Sequence, residues 1–254
     1  MVKQTKKLST KTTVAQINAT DKFPITDANG VVSLVTLATI KAALLDGASF
    51  NAMYDGVFIM YHRKSDNYPL MVKPHKWTSI QSSGEIADGV VIVEGGKCLV
   101  VAPTESASKL TWSSAAVSGG GTTTTDRVTA INDWAGRANT TSQIGHAKCS
   151  SSSYAPGFCN AYSRSNANGQ GLTAGKWWLP SLGEMMMIYA NMNKINYALS
   201  LINGATQLVE DAYWTSTEAG ASTAWILSLY YGLASYSAKA SDALRVRAVS
   251  AFIA

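Results

Sequence analysis

The stretch WILSLYYGLASYSAKAS, residues 225–241, decides how this chain is read. Trp225, Leu227 and Leu229 alternate as the inner face of a half-buried strand does, while Ile226, Ser228 and Tyr230 fall on the opposite face. Tyr231, Leu233 and Tyr236 follow among scattered Ala and Ser, in an order that no core demands. One regular face and one irregular face predict a hairpin whose inner side chains hold the backbone, and leave the role of the outer ones as the question.

The rest of the chain fits a globular protein built around such a hairpin. It has 254 residues, 46% of them hydrophobic and 15% charged, enough for one sizeable domain and a smaller one. No apolar run is long enough for a membrane helix, and the lysine-rich start has no apolar stretch behind it, so neither membrane insertion nor a secretory signal is expected. The net charge of +5 sits entirely in residues 1–76, with ten Lys and Arg against five Asp and Glu, while 77–254 carry eleven of each. Scattered basic residues of this kind form a solvated surface, so nucleic acid is not an expected partner. Cys98, Cys149 and Cys159 are odd in number and form no CxxC, which argues against a disulfide framework and a zinc site. A bridge between Cys149 and Cys159 and free buried thiols both remain open.

Three segments are expected. Residues 1–50 form a small strand and helix unit for attachment or oligomerisation: Asp27-Ala28-Asn29-Gly30 reads as a turn and Val31 to Val35 as a strand. Thr36 then caps a short helix bearing Leu37, Ile40 and Leu44, ended by Asp46-Gly47. Residues 51–84 read as a strand-rich connector, with a hairpin over 55–72 tipped by Lys64 to Asn67. Residues 85–254 form the main domain. Its first hairpin turns at Glu94-Gly95-Gly96, and Gly119 to Thr125 is a loop without the Gly-Lys-Ser/Thr sequence of a phosphate cradle. Asp126 caps a helix with Val128, Ile131 and Trp134 or Ala135 buried and Gly136 at its exit. A second helix starts at a Ser181/Glu184 capping box behind Pro180, carries Met185, Tyr189, Met192 and Leu199 as a core stripe, and stops at Gly204.

Nothing in the chain reads as a catalytic centre. His62, His75 and His146 lie in different elements, none expected to have a neighbouring carboxylate or a second ligand at metal spacing, no GxSxG or HExxH occurs, and Glu210-Asp211 is an ordinary solvated pair. No enzyme activity, metal or cofactor is expected. Function is expected in a surface.

The order GVVIV, LVVAP, LTWSS, Cys159-Asn160-Ala161-Tyr162, WWLPSLGEM, YWTSTE and RVRAVSAF resembles the C-type-lectin-fold domains of bacterial and phage surface proteins. It is most similar to the variable proteins of diversity-generating retroelements, the kind that includes phage tropism determinants. The resemblance implies an α+β fold over 85–254 in which Val90 to Val93 lie close to Arg245 to Val249. It also implies a retroelement that rewrites Asn codons of the form AAY to NNY, which encode no Lys, Glu, Gln, Met, Trp or stop. From Ala219 to Leu244 only Trp225 and Lys239 belong to that excluded group, against five residues in the 26 positions before. The direction agrees, and the two exceptions fall where the family keeps Trp and Lys.

The resemblance therefore implies a variable ligand-binding face of Ala219, Gly220, Ser222, Thr223, Ile226, Ser228, Tyr230, Tyr231, Leu233, Ser235, Tyr236, Ser237, Ala240, Asp242 and Leu244. Trp177, Trp178, Trp214, Trp225, Arg245 and Arg247 would be its scaffold. Tyr anchors with Ser and Gly around them suit recognition, as in antibody loops. The implied protein is a phage tail-fibre receptor-binding protein, made in the host cytoplasm and carried on the virion as a homotrimer, with a host cell-surface protein or glycan as partner. A surface adhesin of the same fold with a fixed ligand is the alternative, and a formylglycine-generating-type enzyme a distant third. The EPN, QPD and WND motifs of calcium-dependent sugar binding are absent, Asn132-Asp133-Trp134 having the letters in another order. The chain has Arg245-Val246-Arg247-Ala248-Val249 where many relatives have RVRPV.

Overall fold

A computed structural model of the chain describes residues 22–26, 32–36 and 55–252. Its contacts divide into two units, Met1–Ala52 and Met53–Ala254. In the first, β1 (Lys22–Thr26) pairs antiparallel with β2 (Val32–Thr36), Phe23 opposite Val35. Thr36 closes β2; the turn expected at 27–30 and the helix expected beyond Thr36 lie outside the described residues.

The second unit is mixed α+β with several antiparallel sheets. β3 (Gly56–His62) and β4 (Pro69–Val72) form the expected hairpin, with α1 (Trp77–Ser82) after it. The described part of the expected connector, residues 55–84, pairs into the main domain. β3 pairs with β5 (Ala87–Glu94) from Gly56 opposite Val93 to Tyr61 opposite Ala87, and Trp77 is buried against the Tyr61 ring at 5.6 Å. The physical reason is that β5 is apolar on both faces, so it needs a strand neighbour on each side and a layer above and below. β6 (Lys97–Val101) supplies the other neighbour across the Gly95-Gly96 turn, where both φ values are positive.

Two runs of the chain then form helices. Asp126 caps α2 (Arg127–Ile131) through the Thr129 N–H at 2.9 Å, as expected. The expected stripe holds only in part: Ile131 packs on the core and Ala135 is half-buried, but Val128 is 64% and Trp134 38% exposed, and Ala130 is the buried residue of α2. Asp133 ends that run. Its carboxylate is buried and accepts from Ala135 N (2.9 Å), Asn139 Nδ2 (2.9 Å) and Thr217 Oγ1 (2.7 Å). Gly136 accordingly opens α3 (Gly136–Ile144) instead of closing α2. α4 (Ala147–Ser150), α5 (Ala155–Ala161) and the small pair β7 (Arg164–Ser165) and β8 (Gly171–Leu172) follow.

The Ser181/Glu184 capping box forms as expected, but the long helix is two: α6 (Leu182–Ala190) and α7 (Met192–Ser200). The break is Asn191, whose Nδ2 donates to Glu94 Oε2 at 2.6 Å and to Met187 O at 3.1 Å. Met185 and Leu199 are buried in the core, with Tyr189 and Met192 partly so. Glu184 Oε2 accepts from Ser181 N (2.9 Å) and Trp178 Nε1 (3.1 Å), and burial raises its pKa from 4.5 to about 7. Folding therefore favours the protonated acid, so stability should fall as pH rises from about 4.5 to about 7, by a few kcal/mol at most. Glu184→Gln, which keeps an acceptor oxygen, should flatten that slope in denaturant titrations across the same range.

The chain closes with β9 (Ala212–Glu218), β10 (Thr223–Ser228) and β11 (Leu233–Ala238) in the order β11-β10-β9, then β12 (Val249–Ser250). β12 pairs with β6 in the five-stranded sheet β12-β6-β5-β3-β4. Val90 to Val93 in β5 are thus one strand further in than direct pairing with the chain end would put them, because the terminal segment follows the exit from β6: Ala102 N donates to Ala248 O (3.0 Å) and Ser106 N to Val246 O (3.1 Å). Two apolar clusters flank the sheets. One joins α6 and α7 to Trp178, Trp225, Leu227 and Leu229; the other holds Trp112, Trp177, Trp214, Cys149, Cys159 and Val246. Among the described residues no helix is long and apolar enough to cross a membrane.

Candidate ligand-binding surface

β9 is the foundation of the hairpin, and every hydroxyl of its Tyr213-Trp214-Thr215-Ser216-Thr217-Glu218 run is buried and used. Thr215 Oγ1 donates to Trp225 O (2.8 Å), Thr217 Oγ1 to the Asp133 carboxylate, and the Ser216 carbonyl accepts from Gln143 Nε2 (2.6 Å). The first and last of these bonds reach main-chain carbonyls where the β9–β10 register shifts between Ala224 and Ile226, and so satisfy the main chain at the irregularity.

At the end of β9 stands Glu218, and beyond β11 stands Lys239. The two side chains are wholly buried and form an ion pair. Lys239 Nζ also donates to Val117 O (2.8 Å) and lies 4.2 Å from the centre of the Trp112 ring. Glu218 accepts from Gly119 N (2.8 Å) and Gly121 N (3.3 Å). The Gly-rich loop 119–125 is therefore an anion cradle after all, for a carboxylate of its own chain. A Cβ on Gly119 would come within 2.8 Å of Glu218 Oε1 and 2.7 Å of the Gln143 side chain, so any other residue there would have to displace the clamp or Gln143. The pair closes the base of the segment 219–238 and ties both of its ends to one loop. Desolvation lowers the Lys239 pKa, opposed by the Glu218 carboxylate.

The interior of the hairpin is as expected: Trp225, Leu227 and Leu229 are buried, and Trp225 Nε1 donates to Thr124 O at 2.7 Å. The turn after Ser228 is held by Gly232, whose N–H donates to Ser228 O (2.8 Å) at φ +64 and whose Cα lies against Tyr189, leaving no room for a Cβ. The turn thus presents Tyr230 and Tyr231 outward, 57% and 75% exposed, their rings edge to face at 4.4 Å. Leu233 and Tyr236 are 49% and 53% exposed, and Ser222, Ser235 and Ala240 are exposed as well.

The remaining positions of the expected face divide differently. Ala219 is buried in the core, and Leu244 bridges Leu110 through paired main-chain bonds and packs on the second cluster. Asp242 accepts from Ser237 Oγ, Ala238 N (2.9 Å) and Ser241 Oγ (3.0 Å), so it and Ser237 fasten the end of β11. Ile226 lies opposite Trp214 and packs on the second cluster, and Gly220, Thr223 and Ser228 are half-buried. Tyr236 is exposed on the other side of the sheet from Ile226: it pairs with Trp225, ring to ring at 5.5 Å, because even positions of β10 face odd positions of β11. Its exposure comes from the sheet edge and not from the outer face.

Of the six residues expected as scaffold, five are buried and Arg245 is half-buried. Trp177, Trp178, Trp214 and Arg247 are buried. Arg247 donates to the carbonyls of Ala102 (3.1 Å), Thr206 (3.0 Å) and Gln207 (3.2 Å), and Arg245 pairs with Glu105 and with Asp211 (2.9 Å). Glu105, which also accepts from Tyr213 Oη at 2.9 Å, was not singled out by the sequence, and Trp112 and Asp133 were noted there without the supporting roles they have here. His62 does have a carboxylate neighbour, Asp88 at 2.7 Å, brought from 26 residues away by β3–β5 pairing. Cys98, Cys149 and Cys159 are free thiols; burial pushes Cys98 up to about 12 and Cys149 to about 11. Among the described residues no group of three or more His, Cys, Asp and Glu is placed to hold a metal.

Fold and site together define a mixed α+β protein that presents an uncharged, tyrosine-bearing hairpin from a buried ionic clamp. No family model, curated protein or solved structure matches the chain at a significant level.

Proposed function

We propose that the chain is a receptor-binding protein with a C-type lectin fold in 85–254, belonging to the variable proteins of diversity-generating retroelements and carried at the tip of a phage tail fibre. The observation that carries this reading is the contrast within one hairpin. Lys239 and Trp225, the residues that NNY codons cannot encode, are buried and bonded at its base and centre, while Tyr230, Tyr231, Leu233, Ser235 and Tyr236 are exposed. An exposed set of Tyr, Ser and Leu on a rigid support offers large stiff contact area at low entropic cost. The ligand is a host cell-surface molecule, and a homotrimeric fibre would add avidity to each site. No reaction is assigned to the protein.

The deciding experiment is to sequence the DNA downstream of the gene. The reading expects a near-copy of codons 219–244, with adenines at the positions that differ, beside a reverse-transcriptase gene. A genome without that copy would make the protein a fixed-ligand adhesin of the same fold.

A further inference from the structure

The Glu184 acid gives one oxygen to the fold and leaves the other over. Oε2 accepts from Ser181 N and Trp178 Nε1, whereas Oε1 has no hydrogen bond among the described residues and is not sealed from solvent, as the unpartnered Gln143 Oε1 is. The residue is 6% exposed and lines a cavity of about 200 Å³ walled by Trp134, Trp178, Leu99 and Met187. That is several times the roughly 30 Å³ of one water, and the walls are apolar, so water alone fills it poorly. The free charges beside the cavity are positive. Lys97 lines it with Nζ 4.2 Å from the centre of the Trp134 ring, and the Arg137 guanidinium lies 5.8 Å from that of Trp178. Neither has an ion pair among the described residues. Glu94, opposite Lys97 in the β5–β6 ladder, accepts instead from Asn191 and lines a neighbouring cavity. Burial, with a smaller push from the Asp133 carboxylate behind it, raises the Glu184 pKa to about 7, and burial keeps the Cys98 thiol at the cavity wall neutral.

We infer that this cavity binds a small carboxylate with an apolar body, which accepts from the Glu184 O–H and pairs with the Lys97 ammonium, a site independent of the hairpin display above. A carboxylic acid kept neutral by an apolar pocket donates to a carboxylate, where an ionised one would repel it. Trp134 and Trp178 receive the apolar body, in keeping with ligand sites that are mostly apolar and carry a few placed polar groups. An ammonium ligand fits less well, because it would enter beside the cations of Lys97 and Arg137 and meet a Glu184 that is largely uncharged below about pH 7. A free apolar acid and an acidic sugar both present the required group, and the test separates them.

The test titrates the full chain with benzoate, benzamide, benzylammonium and glucuronate, read on the indole N–H signals of Trp134 and Trp178. Benzoate should bind with a Kd of about 1 mM or below at about pH 6, and roughly tenfold more weakly at about pH 8 as Glu184 loses its proton. Glucuronate binding ahead of benzoate would assign the carboxylate to a sugar, and the reverse order to a free acid. Lys97→Met, at an exposed position, should melt with the parent and bind about tenfold more weakly. Glu184→Gln, whose amide N–H replaces the acid donor, should bind benzoate equally at both pH values. Should that variant fail to fold, the pH profile of the unchanged chain decides. Benzamide binding as tightly as benzoate, benzylammonium binding more tightly, or benzoate affinity that holds level or rises with pH would each overturn the site. So would indole signals that no carboxylate moves, which would leave the cavity to water.

Discussion

Lys239→Met is expected to cost about 3–5 kcal/mol of stability, lowering the melting temperature of the main unit by roughly 10 °C. The methionine fills the space over Trp112 but leaves the Glu218 carboxylate buried without its cation, and the Gly119 and Gly121 N–H groups replace only part of that interaction. Removing one member of a buried pair is expensive because the survivor stays desolvated, whereas removing both is far cheaper. Adding Glu218→Gln to Lys239→Met should therefore recover part of the loss, giving a coupling energy of about 2 kcal/mol or more in a double-mutant cycle. The same cycle on Lys109 and Asp211, 2.9 Å apart with the lysine 45% exposed, should give less than about 1 kcal/mol. Chemical denaturation of the four variants in each cycle checks both figures.

Trp225→Ala should be equally damaging, about 3–5 kcal/mol, since a large ring leaves a cavity between β10 and α6 that the structure fills only in part. It also strands the Thr124 carbonyl and removes the ring against which Tyr236 leans. Trp225→Phe separates these effects: it keeps most of the packing and loses the indole donor, for an expected cost of about 1–2 kcal/mol. Tyr236→Ala, across the same strand pair but exposed, should stay within about 1 kcal/mol of the parent. A Trp225→Ala variant that melts with the parent would remove the tryptophan from the support of the hairpin.

The parts of this fold that were legible in the sequence are those set by neighbours along the chain. Alternation at Trp225, Leu227 and Leu229, the Ser181/Glu184 capping box and the Gly95-Gly96 turn each involve residues a few positions apart, and each formed. What was not legible depends on partners far away in sequence. Asp133 ends a helix because Thr217 and Asn139 need its carboxylate, and Asn191 breaks another because Glu94 lies beside it. The position of Tyr236 depends on the register set by the turn at Tyr230 to Gly232, which composition does not reveal. The ionic clamp lies between these cases. Lys239 stood out as a residue the NNY pattern excludes, but only the fold shows that its partner is the last residue of YWTSTE and that the Gly-rich loop cradles that partner.

Such a clamp is what the proposed display of many surfaces on one backbone requires. Glu218 and Lys239 bracket the segment 219–238, Trp225 and Leu227 fix its middle, and Gly232 against Tyr189 fixes its turn, so the path of the hairpin is specified without the exposed side chains.

The most direct test is to randomise Tyr230, Tyr231, Leu233, Ser235 and Tyr236 together, display the library and score folding by protease resistance, alongside a second library over Trp225, Leu227, Leu229 and Lys239. The account predicts that most members of the first library stay within about 2 kcal/mol of the parent, as five exposed substitutions should, while nearly all of the second unfold. Equal loss of folding in both libraries would contradict it.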